Sequence, residues 1–106
     1  MKLGKYPIHF HMVGNVSKSY VKNCTVHHAN NRAIAIHGVN HLTVSWNVVF
    51  DTRGHAVFIE DGTEVRNTLS YNLVAMVRRL WSLLVVDQWP ACYWIVNPDN
   101  DVYGNE

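Results

Sequence analysis

The chain has 106 residues, 48% of them hydrophobic and 16% charged, a balance that excludes a disordered chain and suits one small domain or a part of one. Nine basic and eight acidic residues leave a net charge of +1 without a clustered basic face, so we expect no nucleic-acid partner. The apolar run at residues 83–86 is far shorter than the about 20 residues that span a bilayer, so we expect no membrane contact by this segment.

Short β-like segments follow one another along the chain. They are rich in Val, Ile, Thr and aromatic residues, they are bounded by Asn, Asp and Gly, and none shows the i, i+3, i+4 apolar spacing of a helix. In chain order they read VKNCTV, RAIAIHG, HLTVSWNVV, HAVFIEDG and NTLSYNLV. The sequence therefore predicts an all-β fold.

These segments repeat at a nearly constant interval. Val21 matches Val44 at an offset of 44 − 21 = 23 residues, Asn47 matches Asn72 at 72 − 47 = 25, and Ile8 matches Ile34 at 34 − 8 = 26. A period in the low twenties is typical of a solenoid in which each repeat forms one coil. We expect residues 1–106 to form a parallel β-helix of about four coils of 23–26 residues. Because no capping element is recognisable, we expect it to be an incomplete fragment of a larger β-helix.

Alternation along each predicted strand separates a core face from an outward face. Ile34 and Ile36 are expected to point into the core, above and below their equivalents in other coils. Asn47 and Asn72 are expected at a bend between strands, where Asn tolerates left-handed backbone and hydrogen-bonds to its stacked neighbour. The remaining residues of each strand face outward.

The outward face carries a concentration of polar side chains. His9 and His11 are two residues apart on one strand, His37 is expected one coil beyond His11, and Glu60 one coil beyond His37. Two imidazoles from one strand and a third from the next coil form a workable ligand set for Zn²⁺ or another transition metal. This interpretation predicts a metal site at His9, His11 and His37.

Two other interpretations of the same face stay open. His37 beside Glu60 would supply a proton-transfer group and its orienting partner, which predicts these two as catalytic residues acting on a bound polymer. Alternatively, the histidines and Glu60 only hydrogen-bond along the column and to loop backbone, and their role is structural.

Phe58 is expected in the same outward column as His9. An exposed Phe58 ring would offer an apolar plate for a sugar ring, with His9, His55 and Asp61 nearby to bind its hydroxyl groups. These four residues are therefore predicted to bind substrate. In the alternative interpretation, the segment at residues 74–92 covers Phe58 and the ring is ordinary packing.

The cysteines and two sequence triplets bear on the compartment. Cys24 and Cys92 define no disulfide framework, and we expect Cys24 to be a lone buried thiol. The triplets N-V-S at Asn15 and N-C-T at Asn23 match the N-glycosylation pattern, so both asparagines are candidate glycosylation sites in an extracellular protein.

The ordered set YPIHFHMVG, SYVKNCTVHHANNRAIAIHG, GHAVFIEDGTEVRN, LSYNL and PACYWIVNPDN resembles the β-helix region of one family. That family includes fibrocystin-L, the cell-migration-inducing hyaluronan-binding protein and the transmembrane cell-surface hyaluronidase. The resemblance covers roughly Tyr6 to Asn105. It implies a right-handed, pectin-lyase-like parallel β-helix within a large extracellular or membrane-anchored glycoprotein. Some members depolymerise hyaluronan, and calcium dependence is associated with that activity.

The resemblance also guides the expected function. Hyaluronidase-like members have insertions after the HFH coil and before the last tryptophan motif, and both are missing here, which places this chain nearer fibrocystin-L. We therefore expect a cell-surface segment that binds a glycan such as hyaluronan, or a protein, without turnover. A part of a hyaluronan-depolymerising ectodomain and a structural spacer are the alternatives. The cofactor would be a divalent metal, either calcium as the resemblance implies or a His-bound transition metal, and the resemblance carries over no catalytic residue.

Overall fold

The computed structural model describes residues 5–81 and 88–106, so the apolar run at residues 83–86 lies outside the described residues. The described chain is built from short strands without an α-helix. The strands are β1 (Ile8–Asn15), β2 (Tyr20–Lys22), β3 (Thr25–Ala29), β4 (Ile34–Asn40), β5 (Thr43–Ser45), β6 (Val48–Arg53), β7 (Val57–Ile59), β8 (Thr68–Ser70), β9 (Leu73–Arg78), β10 (Tyr93–Trp94) and β11 (Asp101–Tyr103).

Three parallel sheets run along one axis, with strand orders β1-β4-β7-β10, β2-β5-β8-β11 and β3-β6-β9. Each of the first three turns of the chain adds one strand to each sheet, and the last turn adds β10 and β11 to two of them. This arrangement is a parallel β-helix, and it confirms the predicted fold class.

The strand register confirms the predicted repeats. Ile34 pairs with Ile8 on one side and with Val57 on the other, and Val21 pairs with Val44. The predicted coil length fails at the last step, because Val57 pairs with Tyr93, 93 − 57 = 36 residues along the chain. The additional residues fall in the sequence between β9 (Leu73–Arg78) and β10 (Tyr93–Trp94).

The core consists of the inward column residues from successive coils. Ile34, Ile36, Val57 and Ile59 are fully buried, as the alternation predicts. Further along each coil the same interior is filled by Val39, Leu42, Val44, Val49 and Leu69. Burial of such aliphatic side chains, at roughly 1.5–3 kcal/mol each, holds the stacked coils together.

An asparagine ladder closes the bend between the second and third sheets. The buried Asn47 donates from Nδ2 to Asn72 Oδ1 over 3.0 Å, and its own Oδ1 accepts the N–H of Cys24 over 3.0 Å. This confirms the predicted hydrogen bond between stacked asparagines. The left-handed backbone, however, falls on the residues before the asparagines, Trp46 with φ 56° and Tyr71 with φ 54°. The preceding residue makes the turn, so the asparagine side chain is free to point inward.

No helix long and apolar enough to cross a membrane occurs among the residues that the structure describes.

Candidate metal centre and ligand-binding face

Strand pairing brings the predicted polar face together. His11 on β1 lies directly beside His37 on β4, and His9 lies two residues earlier on β1. Glu60 and Asp61 follow the last residue of β7, whose Ile59 pairs with Ile36. The parallel register therefore places side chains from three coils on one outward face.

The three histidines predicted as metal ligands form a cluster. One ring nitrogen from each of His9, His11 and His37 lies within 4.8 Å of the others. His37 Nδ1 and His11 Nδ1 are 3.1 Å apart, and the His9 and His11 rings meet edge to face at 5.1 Å between centroids. His11 is exposed, whereas His9 and His37 are half-buried, so the cluster is open to solvent on the side of His11.

A carboxylate orients His37 by contacting the ring nitrogen that does not face His11. Asp61 Oδ2 lies 2.6 Å from His37 Nε2, so a proton on Nε2 is donated to Asp61. This leaves the Nδ1 lone pair facing His11. Glu60 Oε2, predicted as the orienting partner, is 3.6 Å from His37 Nδ1, beyond hydrogen-bonding distance. The hydrogen-bonded partner of His37 is therefore Asp61 and not Glu60, because the turn after β7 carries Asp61 back over the imidazole.

Glu64, which the sequence reasoning missed, shapes that turn. Its fully buried carboxylate accepts backbone N–H groups from Gly38 at 2.9 Å, Asp61 at 3.2 Å and Gly62 at 2.9 Å. It thereby fixes the backbone directly after His37 and at Asp61. The sequence signal for this role was the D-G-T-E segment, in which an acidic residue follows the glycine of the turn by two positions.

Phe58 and His55 do not reach the surface. Phe58 is 4% exposed and His55 is fully buried, and their rings stack at 5.1 Å. The Arg32 guanidinium lies 3.9 Å from the Phe58 ring centroid, and the Trp94 ring stacks on Phe58 with 6.2 Å between ring centroids. The interpretation of Phe58 as an exposed sugar-binding plate is therefore wrong, and the alternative of a covered ring used in packing is confirmed, with contacts from Arg32, His55 and Trp94.

The residues near Phe58 also repeat from one coil to the next. Tyr6, Arg32 and His55 are spaced 32 − 6 = 26 and 55 − 32 = 23 residues apart, the same intervals as the strands. Arg32 Nη1 donates to the Tyr6 hydroxyl over 2.6 Å. His55 Nδ1 accepts the N–H of Ala91 over 3.0 Å. These contacts assign His55 a packing position, and no direct contact with a ligand is open to it.

The remaining predicted residues lie apart from the cluster. Asn15 and Asn23 are exposed at the surface. Cys24 and Cys92 are both free, with Cys24 half-buried rather than buried and Cys92 exposed. A cavity of about 1370 Å³ opens between Tyr6 and His28, but the histidine cluster does not line it.

The chemistry of the donor atoms discriminates between the two metals considered. Three imidazole nitrogens suit zinc, copper, nickel or iron, whereas calcium takes six to eight oxygen ligands. The histidine cluster therefore does not fit calcium, and the calcium expectation finds no support at this face. It fits a divalent transition metal.

Comparison with known proteins agrees with the fold. Residues 1–90 match the family model described as the CEMIP beta-helix. The chain is 49% identical to fibrocystin-L of Mus musculus and 48% identical to fibrocystin-L of Homo sapiens, each over 98% of this chain and 2% of the relative. It is also 49% identical to protein rliB of Dictyostelium discoideum over 72% of this chain and 7% of that protein. No solved structure matches the chain.

The fold and these similarities define a parallel β-helix segment of a cell-surface protein class. More particularly, the chain belongs to the CEMIP β-helix family, to which fibrocystin-L is related. Members of this family are cell-surface or extracellular proteins. The chain spans about 2% of the length of the fibrocystin-L relatives.

Proposed function

We propose that this chain is a ligand-binding β-helix segment of an extracellular or cell-surface protein. Its His9–His11–His37 cluster holds a divalent transition metal, and the face around the metal binds an acidic glycan such as hyaluronan without turnover. The observation that carries the proposal is the convergence of three imidazole nitrogens within 4.8 Å, backed by Asp61.

The ligand geometry supports a zinc-type ion. Two nitrogens bound at 2.0–2.1 Å on a tetrahedral ion lie roughly 3.4 Å apart, close to the 3.1 Å between His11 Nδ1 and His37 Nδ1. The carboxylate behind His37 is the usual second partner of a metal-bound histidine, because it fixes the tautomer and increases the basicity of the nitrogen. Three protein ligands leave a fourth position for a carboxylate of the glycan.

The same hydrogen bonds support binding without turnover. With a metal on His37 Nδ1 and Asp61 on Nε2, neither nitrogen is available to move a proton. Glu60 lies close enough to contact a bound ligand, but its oxygen is not hydrogen-bonded to an imidazole. Among the described residues, the metal-loaded face thus has groups for binding and no side chains arranged as an acid–base pair.

A second candidate function is hyaluronan depolymerisation at the metal-free face. The 2.6 Å contact between His37 Nε2 and Asp61 favours it, because this pairing orients a histidine as a general base through Nδ1. Under this candidate, chelation would leave activity intact or increase it.

Metal titration of the whole natural protein tests the primary proposal. The apo protein is titrated with Zn²⁺ by calorimetry, and hyaluronan binding and chain length are followed with and without a chelator. We expect one tight site, loss of hyaluronan binding on chelation, and unchanged polymer length. The double variant His11→Ala, His37→Ala should lose both zinc binding and hyaluronan binding. The matched control His27→Ala, which lies outside the cluster, should retain both.

Four results would overturn the primary proposal. Equal zinc binding by the double variant would remove the site, and chelator-insensitive hyaluronan binding would remove the role of the metal. Shortening of the polymer that is lost only in the double variant would favour the depolymerase. Binding of a protein and not hyaluronan would reassign the ligand.

A further inference from the structure

We infer that Asn23 carries an N-linked glycan and that its first sugar, N-acetylglucosamine, packs on the exposed indole of Trp46. The inference concerns the bend between β2 and β3, in sheets other than the one that carries the histidine cluster. It is independent of any metal and of the ligand proposed above.

Asn23 occupies the same position in its coil as Trp46 and Tyr71 occupy in the next two. Each comes directly after the last residue of β2, β5 or β8, and those strands are paired in register. The three residues share a left-handed backbone, with φ of 54°, 56° and 54°. Because equal backbone angles give equal Cα–Cβ directions, the three side chains project from the bend side by side.

One face of the Trp46 ring is already covered and the other is open towards Asn23. Trp46 stacks on Tyr71 with 4.7 Å between ring centroids and 17° between ring planes. Trp46 is nonetheless 60% exposed. Since successive coils are about 4.8 Å apart, the uncovered indole face lies one coil step from the position of the Asn23 side chain. A flat sugar ring attached there continues the stack.

The Asn23 side chain is available for modification. It is exposed, and its amide makes no hydrogen bond to the described part of the chain, whereas Asn47 and Asn72 use theirs in the buried ladder. The hydroxyl that the Asn-x-Ser/Thr pattern requires is supplied by Thr25, which is exposed at the start of β3.

The modification is a glycosyl transfer from a lipid-linked pyrophosphate oligosaccharide of the secretory pathway. The bond between the anomeric carbon and the pyrophosphate oxygen breaks, and a bond from that carbon to Asn23 Nδ2 forms. Nδ2 loses one proton and the lipid pyrophosphate is the leaving group. The transfer acts on the Asn-Cys-Thr triplet, and the fold then determines where the sugar packs.

The other triplet offers no comparable platform. Asn15 Oδ1 accepts the N–H of Ser17 over 3.0 Å, and its neighbour in the next coil is Asn40. In the described register the residue that follows Asn15 is thus polar and not aromatic. A glycan at Asn15 would therefore project into solvent, which makes this site the internal control.

The test uses the whole natural protein, secreted from mammalian cells that make only oligomannose glycans. Peptide mass spectrometry locates the glycans, and endoglycosidase H trims each to a single N-acetylglucosamine. Hydrogen exchange of residues 43–48 is then measured in four proteins: wild type, Thr25→Val, Trp46→Ala and the double variant. Thr25→Val removes the hydroxyl that the glycosylation triplet requires but keeps Asn23 and a β-branched strand residue. Ser17→Ala removes the Asn15 triplet as the control.

We expect Asn23 to be occupied and Thr25→Val to speed exchange at residues 43–48 by about 2- to 12-fold, the range that corresponds to an aromatic stacking contact. In the Trp46→Ala background the same substitution should have no effect, and Ser17→Ala should have none in either. An unmodified Asn23 overturns the inference. An equal effect of Thr25→Val with and without Trp46 overturns the stacking.

Discussion

At the scale of single residues, His37 is the side chain through which the outward face is organised. It contacts His11 through Nδ1 and Asp61 through Nε2, and the backbone after it is held by the buried Glu64. Its strand position was predictable from the H-x-H spacing and the 26-residue offset. That His37 hydrogen-bonds to Asp61 and not to Glu60 was not predictable, because this contact depends on the turn that Glu64 stabilises.

Asp61→Asn should weaken zinc binding by the whole protein by about 10- to 100-fold, because the neutral amide no longer supports the basicity of His37. The matched control is Glu60→Gln, which changes a carboxylate that does not hydrogen-bond to an imidazole. We expect less than about a 3-fold change for it. Competition with a chromophoric chelator measures both affinities, and equal losses in the two variants would contradict the role given to Asp61.

At the scale of elements, β4 contributes side chains both to the core and to the outward face. Ile34 and Ile36 are fully buried in the core, while His37 reaches the outward face. Period-two alternation along the strand predicted this division. Alternation alone did not decide between an exposed and a covered Phe58, and it did not indicate Arg32 as a covering residue, because Arg32 precedes its strand and carries a charge.

Ile36→Ala should lower the free energy of unfolding by about 2–5 kcal/mol, because it leaves a cavity in a stack that is packed on both sides. Val48→Ala, at a partly exposed position on β6, is the matched control and should change the free energy by about 0.5 kcal/mol or less. Urea unfolding followed by tryptophan fluorescence measures both. His37→Ala should leave the fold nearly intact, and its collapse would support the purely structural interpretation of the histidines.

At the scale of the whole molecule, a hydrogen bond from Tyr93 connects the last coil to the preceding one. The Tyr93 hydroxyl donates to the carbonyl oxygen of Asn72 over 3.0 Å. Burial, with a smaller contribution from the neighbouring Cys92, raises the pKa of Tyr93 to about 12. The neutral phenol is therefore favoured in the folded state.

Because this pKa is raised above the ordinary value of 10.0, the contribution of Tyr93 to stability is fully present below pH 10 and is lost as the pH rises towards 12. Tyr93→Phe should therefore flatten the decline in stability between pH 10 and 12. Urea midpoints at pH 8 and at pH 11 for both proteins measure the difference. An identical alkaline loss in the variant would show that Tyr93 is not responsible.

The sequence by itself determined the coil period, the core columns and the meeting of His9, His11 and His37. These features depend on strand alternation and on offsets between repeats, both of which are local properties of the chain. The tertiary structure alone decided the 36-residue last step, the burial of Phe58 and His55, and the partner of His37. Those outcomes depend on contacts made by residues between the strands, such as Arg32, His55 and Asp61, and no periodic pattern specifies where a turn places its side chains.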